Sequence, residues 1–476
     1  MAKIVFLQRD GYETFGVMYL SASLAARGHQ AEVVIEGEER GAFFRTIEEL
    51  RPDVIGFSLM SGLQDWVAAT AVKVKSRFAK PVIAGGSHCT FFPEFVNEPG
   101  IDAICRGEAE DALPDFLDAL EAGGDGSDVP GFWVKTPDGI KENDLYPLRA
   151  DLDSLPFPDR TIYRRRYASL AELSGCDILA ARGCPYNCAF CYNSLMRKMY
   201  AGKGRYVRRH SPERLLEELD RAKAERGAAL RWVSFVDDLF IQDRKWLEDF
   251  LGRYRKRIGL PFSCGLRANL MDEELADLLA DSGCRMASFG LESGDEQLRN
   301  AVLNKKVTDE QIIRTAALLR ERNIRFSTFN MFNLPGETLE KAEATLEMNL
   351  RIRGGNYPWS GLLQPYRGTR IFDHADEMGL LPQGETGAKL FHSATLRQPD
   401  TELLERFNAY FYWMVRYPIL RKPLMALVRK GPSLAGRASL LLTSFHRYVS
   451  LMRPMEGNRA LYLAVKNGWK RIRAYI

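Results

Sequence analysis

Short apolar runs recur along this chain with about one helix's length between them, and that alternation constrains its fold more than any other feature. In the first 122 residues five such runs stand at 3–7, 31–35, 53–57, 81–84 and 102–105, separated by helical stretches such as 17–27, which Gly28 closes. Strands alternating with helices build a parallel sheet covered on both faces, here a doubly wound (Rossmann or flavodoxin-like) α/β sheet. From Asp177 to about Gly379 the alternation resumes with longer helices, and the strand candidates are 178–181, 232–236, 262–266, 286–289, 326–329 and 360–363. Ser211 followed by Pro212 reads as the N-cap of a helix over 211–226, and a second long helix is predicted over 309–322.

At 476 residues the chain is too long for one core. Four parts are expected: 1–122, a connector at 123–175, a strand-and-helix domain at 176–379, and a helical domain at 380–476. The connector opens on Gly123-Gly-Asp-Gly126, carries a predicted hairpin around Pro137-Asp-Gly139, and ends in the strap Leu155-Pro-Phe-Pro158. No apolar run approaches the ~18–20 residues that span a bilayer. Eight cysteines and a start at Met1-Ala-Lys-Ile, with no signal peptide, predict a reducing cytoplasm. The net charge of +4 hides an asymmetry: residues 405–476 hold 14 Lys or Arg against Glu405 and Glu456, a local +12, which leaves −8 for residues 1–404. Basic helices with apolar faces, such as those containing Phe411 to Val415 and Pro423 to Val428, suit the surface of an anionic membrane or a solvated helical cap. No RNA-binding module is present, and nucleic acid is not expected as a partner.

The densest chemical signal is Cys184, Cys188 and Cys191, spaced C-x3-C-x2-C just after an apolar run. Such a loop leaves a strand end, where α/β folds place their chemistry. Three thiolates hold three irons of a four-iron cluster and leave one iron open for a substrate. Zinc with a fourth ligand such as His210 is the alternative, although no second Cys or His pair stands nearby. Cys89, Cys105, Cys176, Cys264 and Cys284 are widely spaced and read as small apolar residues, with a minor redox role open for Cys89 and Cys105.

The run Ala181-Arg-Gly-Cys-Pro-Tyr-Asn-Cys-Ala-Phe-Cys-Tyr-Asn193 resembles the cluster motif of radical S-adenosylmethionine (SAM) enzymes. That resemblance implies a partial (βα)6 barrel, a 4Fe-4S cluster whose open iron is chelated by SAM, and reductive cleavage of SAM to methionine and a 5′-deoxyadenosyl radical. It also implies roles at the strand ends. Phe190 packs on adenine, Asp237 and Asp238 accept hydrogen bonds from the SAM ammonium, and Arg267 neutralises the methionine carboxylate or holds the ribose. Glu292 binds ribose hydroxyls or pairs with Lys305, because an unpaired inward carboxylate is expensive. The loops at Leu334-Pro-Gly-Glu-Thr338 and Gln364-Pro-Tyr-Arg-Gly-Thr369 also resemble family loops, which gives Glu337 and Tyr366 a structural or a substrate-facing role.

Gly16 to Ser21 with Arg27-Gly28-His29, Ser58-Leu-Met-Ser61, Ala84-Gly-Gly-Ser-His88 and Arg106-Gly-Glu-Ala-Glu110 resemble, in order and spacing, the cobalamin-binding domain fused to radical SAM domains. The cofactor residues this implies are Ser58, Met60, Ser61, Gly85, Gly86, Gly107 and Glu108; small residues there let something large and flat approach the backbone. The D-x-H-x-x-G motif that supplies a lower histidine ligand to cobalt is missing. His29 and His88 are read as surface or packing residues, so cobalamin is expected without a protein histidine on cobalt. The resemblance covers residues 1 to about 380 and implies a cobalamin-dependent radical SAM enzyme, most readily a methylase acting on an unactivated carbon of a lipid-like or natural-product substrate. A flavodoxin or ferredoxin-type protein is the expected electron donor. A cyclase or rearrangement enzyme built from the same parts is the alternative, and a cobalamin-binding sensor or scaffold with a dead barrel is the alternative from another class.

Overall fold

The computed structural model of the chain describes residues 1–382, 394–430, 439, 442–447 and 449–450. Much of the basic tail, including Arg437, Leu440 and everything from 451 on, lies outside the described residues. The chain divides into two compact units, one of residues 1–173 with 196–206, the other of 174–195 with 207 onward.

The first unit is built on β1 (Lys3–Gln8), β2 (Gln30–Ile35), β3 (Val54–Ser58), β4 (Val82–Gly85) and β5 (Ala103–Cys105), all parallel, with β6 (Phe132–Thr136) and β7 (Gly139–Glu142) antiparallel at one edge. The order is β2-β1-β3-β4-β5-β6-β7. Ile4 and Phe6 join one core cluster and Val5 and Leu7 another, so the central strand is covered on both faces, as a parallel sheet requires. The order reverses between β1 and β3, which opens a crevice at the strand carboxyl ends.

The expected connector is a different matter. Its hairpin pairs Ile104 with Trp133 and extends the sheet, giving β5 a partner for an edge that would otherwise stand open. Further on, Tyr163 and Tyr167 are buried in the same core, and the Tyr167 hydroxyl accepts from Ile35 N–H at 2.8 Å. Residues 123–173 therefore complete the first unit rather than leave it.

In the second unit β8 (Gly175–Ile178) is followed by the short antiparallel pair β9 (Ala181–Arg182) and β10 (Arg208–Arg209). Then come β11 (Trp232–Phe235), β12 (Phe262–Leu266), β13 (Cys284–Glu292), β14 (Arg325–Phe332) and β15 (Trp359–Leu362). The order β15-β14-β13-β12-β11-β8 is parallel throughout, a six-stranded half-barrel. Phe235, Phe262, Cys264, Ala287, Phe289 and Phe326 pack outward in the core beneath the helices. Alternation then puts Ser234, Ser263, Gly265, Ser288, Gly290, Ser327 and Phe329 on the opposite, concave face. The helix Pro212–Arg226 is capped by Ser211, whose side chain accepts from Arg214 N–H, and Asp309–Glu321 by a capping box at Thr308.

Residues 380–476 were expected to form a separate helical domain, but those described belong to this unit. Leu404, Phe407 and Phe411 of the helix Thr401–Arg416 pack against Phe332 and Leu362. Gln398 donates to Asn333 Oδ1 at 2.7 Å and Leu334 O at 2.9 Å, tying the segment to the loop after β14. An apolar helix face and an uncovered sheet edge bury each other. Among the described residues no helix is long and apolar enough to cross a membrane.

Candidate functional site

The chain after β8 does not continue as a strand, because Asp237 intercepts it. Its carboxylate, buried at the end of β11, accepts from Ala180 N–H at 3.2 Å and Ala181 N–H at 2.5 Å. Burial pushes its pKa up to about 7, against the pull of those amides and of Arg209. Asp237 is thus a backbone clamp at the root of the cysteine loop. Asp238, next in sequence, faces solvent and accepts from the Tyr192 hydroxyl at 3.1 Å.

Past the clamp, Cys188 is buried while Cys184 and Cys191 are half-buried. Among the described residues only His29, Asp118 and Glu121 bring three His, Cys, Asp or Glu donor atoms within 4.8 Å of one another. Burial raises the Cys184 thiol and pushes Cys191 up to about 11, so thiolates here need the field of a metal centre.

Arg267, at the end of β12 and only 7% exposed, reaches this loop. Its guanidinium lies 3.8 Å from the centre of the Tyr186 ring, Nη1 donates to Cys188 Sγ at 3.6 Å and Nη2 to Lys305 O, while Nε is buried with no partner. Two residues on, Asn269 bonds Tyr186 Oη at 3.3 Å through one amide atom and leaves the other buried and unpaired. The unpaired Arg267 Nε–H fits the carboxylate of a zwitterionic cosubstrate, and the unpaired Asn269 Oδ1, an acceptor, fits a donor such as its ammonium, since each is costly when left alone. Asn269 carries no motif that sequence reading could have used.

Glu292 ends β13 with φ of +66°, a conformation that folds its side chain back over the strand. There Lys305 Nζ donates to Glu292 Oε1 at 2.6 Å, both side chains being buried. A Cβ on Gly290 would fall 1.9 Å from that oxygen and 2.2 Å from Nζ, so the glycine is the seat of the ion pair. Lys305 Nζ also lies 5.9 Å from the centre of the Phe190 ring, which joins the cysteine loop to the pair. Glu337, in the loop after β14, accepts from Leu334 N–H at 3.0 Å, leaves Oε1 buried and unpaired, and is pushed up to about 8 by burial.

The strand ends of the first unit have another character. Ser58 ends β3 and Met60 comes two residues later, both in the open, Met60 being 52% exposed, and a Cβ on Gly85 would meet only Cys105, at ordinary contact distance. A Cβ on Gly16 would meet only Ser58 Oγ at 4.0 Å. This open, small-residue rim fits a flat macrocycle. Other expected contacts are already committed. Ser61 Oγ bonds His88 Nδ1 at 3.0 Å, Gly86 with φ of +101° is required by the passing backbone of Leu59, and Gly107 by the Tyr200 hydroxyl, which would lie 1.9 Å from a Cβ. Glu108 offers its N–H to the same Tyr200 hydroxyl at 3.0 Å. These three glycines and Ser61 thus divide into one open position, Gly85, and three set by the protein itself.

His29 and His88 are buried rather than superficial. Ala2 N–H donates to His29 Nδ1 at 3.2 Å, which leaves Nε2–H for Asp118 at 3.0 Å. His88 is stacked on Phe92 at 4.8 Å, and burial lowers it to about 4. The other five cysteines are all buried, and burial pushes Cys105 up to about 12, the behaviour of inert thiols.

Sequence comparison matches the "B12 binding domain" family over residues 9–117 and the "Radical SAM superfamily" over 178–348. The chain is 27% identical over 375 residues to the uncharacterized methyltransferase PH0819 of Pyrococcus horikoshii, covering 77% of this chain and 79% of that one. It is 26% identical over 348 residues to the anaerobic magnesium-protoporphyrin IX monomethyl ester cyclase of Rubrivivax gelatinosus, covering 70% and 61%. Its fold matches the radical SAM methyltransferase TsrM of Kitasatospora setae, solved with cobalamin and a [4Fe-4S] cluster bound, at a TM-score of 0.66 and 16% identity, over 90% of this chain and 99% of that one. With three thiols at a half-barrel rim and a doubly wound sheet before them, the chain is a radical SAM enzyme carrying a B12 binding domain, and its cofactors are a 4Fe-4S cluster, SAM and cobalamin.

Proposed function

We propose that the protein methylates an unactivated carbon of a small-molecule, lipid-like or natural-product substrate. When bound, the cluster supplies the electron that splits SAM into methionine and a 5′-deoxyadenosyl radical, and cobalamin supplies the methyl group. Cys184, Cys188 and Cys191 are the cluster ligands. Arg267, whose buried Nε has no partner beside Cys188, is the observation that carries the reading: it receives the methionine carboxylate and keeps the cosubstrate against the loop. Asp238 is the acceptor for the ammonium, since Asp237 is engaged by the backbone. Glu292, held by Lys305, presents its second oxygen to the ribose, and Phe190 packs on adenine. In the first unit Ser58, Met60 and Gly85 form the corrin seat, and no histidine ligates cobalt, because both ring nitrogens of His29 and one of His88 are held inside the fold.

A reduced flavodoxin or ferredoxin-type protein is the electron donor, and the cytoplasm the compartment. Around the helix Arg421–Lys430, Ile419 is 88% exposed and Leu420 and Leu427 are also open beside Lys422 and Lys430, which suits peripheral contact with an anionic membrane. Arg421 and Arg429 pair with Glu347 and Glu343, which lowers the charge available for it. The cyclase relative keeps ring closure without net methyl transfer as a second reading.

The test is to reconstitute the full chain anaerobically, add SAM, cobalamin and reductant to extracts of cells lacking the protein, and search for mass gains of one methyl group. Loss of two hydrogens instead would favour ring closure. A protein that holds stoichiometric zinc and takes up no iron would overturn both readings.

A further inference from the structure

Two members of the run Arg106 to Glu110 already have partners within the fold: Gly107 makes room for the Tyr200 hydroxyl, and Glu108 gives its N–H to that same oxygen. Arg106 is left, and its backbone is fixed from both sides. Its N–H donates to Gly131 O at 2.8 Å. The N–H of Gly107 donates to Thr90 Oγ1 at 3.0 Å, and that hydroxyl donates to Gly86 O at 2.8 Å. The residue before it, Cys105, is the one that a Cβ on Gly85 would meet, at 3.6 Å. Arg106 therefore leaves β5 beside the open position of the rim, at the carboxyl end of the sheet, where ligands of such folds bind.

The side chain is held in place without being neutralised. Its guanidinium lies over the Trp133 ring, 4.7 Å from the centre, and that ring is fixed in turn by its indole N–H, which donates to Asn143 O at 3.1 Å. Nε is buried with no partner, and among the described residues neither Nη donates and no carboxylate pairs with the group. Asp144 is taken by Lys203, and Glu142 draws on the cation only from a distance, too weakly to offset the burial that lowers the Arg106 pKa. A half-buried cation without a counter-charge is costly until an anion arrives. The guanidinium fork meets the oxygens of a phosphate two at a time, which a lysine could not do. Cobalamin carries neutral amides around the corrin and one anionic substituent, the phosphodiester of its nucleotide loop. We infer that Arg106 receives this phosphate, and so selects the complete cofactor over a corrinoid that lacks the nucleotide loop. This rests on the reading of the β3 and β4 ends as the corrin seat and adds a charged anchor beside it.

The probes are aquocobalamin, cobinamide phosphate, which keeps a phosphate but lacks the ribose and base, and cobinamide, which lacks all three. Each is measured by equilibrium dialysis against the full chain without SAM. The first two are expected to bind roughly tenfold more tightly than cobinamide. Arg106→Gln brings them to the level of cobinamide and leaves cobinamide itself unchanged, so cobinamide binding reports that the variant is folded. Trp133→Leu, which frees the guanidinium to move, weakens the two phosphate-bearing probes about threefold and cobinamide not at all. Cobinamide bound as tightly as cobinamide phosphate would overturn the inference. So would a loss in Arg106→Gln shared equally by all three probes, which would make Arg106 a support of the fold, and so would tight cobalamin with weak cobinamide phosphate, which would assign the selection to the base. Failure of all three to bind would overturn the corrin seat as well, whereas corrinoids that bind and are indifferent to Arg106 refute this inference alone.

Discussion

The two sheets present opposite rims. At the ends of β11 to β14 the side chains are charged, buried and tied to one another: Asp237 to two amides, Arg267 to the cysteine loop, Lys305 to Glu292. At the ends of β3 and β4 they are uncharged, with Ser58 and Met60 exposed and Gly85 half-buried. A small zwitterion is held by directed groups that are costly to leave unpaired, whereas a macrocycle is held by area, which needs little more than space.

Substituting all three cysteines by alanine tests the directed rim most severely: iron content and SAM cleavage are expected to disappear, while cobalamin binding to residues 1–173 persists. Lys305→Met comes next. It leaves the Glu292 carboxylate buried and alone, and chemical denaturation is expected to show a loss of about 3–5 kcal/mol. Gly85→Leu probes the open rim. Cobalamin affinity should fall about tenfold, or ~1.4 kcal/mol, with the unfolding midpoint little changed. If the stability falls instead, the open rim is as tightly built as the other and the contrast fails.

A finer test uses pH. Glu337 ionises near 4.5 when unfolded and near 8 in the fold, so the folded chain holds the extra proton between those values. Its contribution to stability is whole below about 4.5 and is lost as pH rises to about 8, at up to ~1.4 kcal/mol per pH unit. Glu337→Gln should flatten that slope in urea titrations; an unchanged slope would mean that the carboxyl is not held neutral. The smallest expected effect is none: cob(II)alamin in His29→Ala or His88→Ala should give the electron paramagnetic resonance spectrum of the unaltered protein, without nitrogen splitting from an axial ligand.

Apolar alternation located β1 to β5 within one residue, because strands buried on both faces leave continuous runs. The same signal misplaced β8, expected at 178–181 and found at Gly175–Ile178. Ala180 and Ala181 are apolar and buried as a strand would be, but the Asp237 carboxylate takes their amides, and no local pattern announces a partner 56 residues away. The cysteine spacing was legible because the metal imposes it. Arg267 and the Glu292–Lys305 pair were legible from their strand ends, whereas Tyr200 beside Gly107 was not, since a glycine kept for a neighbouring hydroxyl and one kept for a cofactor look alike in sequence. The hairpin was visible as a hairpin, but the edge it joins depends on register across the sheet.

The helix Thr401–Arg416 lies outside the stretch matched to the superfamily, which stops at residue 348, yet its Leu404, Phe407 and Phe411 share one buried cluster with Phe332 and Leu362. A chain shortened to the matched stretch, or to residue 382, would bare a row of aromatic and aliphatic side chains beside β15, the terminal strand of the sheet. Such a strand is a template for pairing with other chains. The smallest piece of this protein that stays monodisperse should therefore end no earlier than Arg416, and shorter pieces should be recovered as aggregates even with the cysteine loop intact.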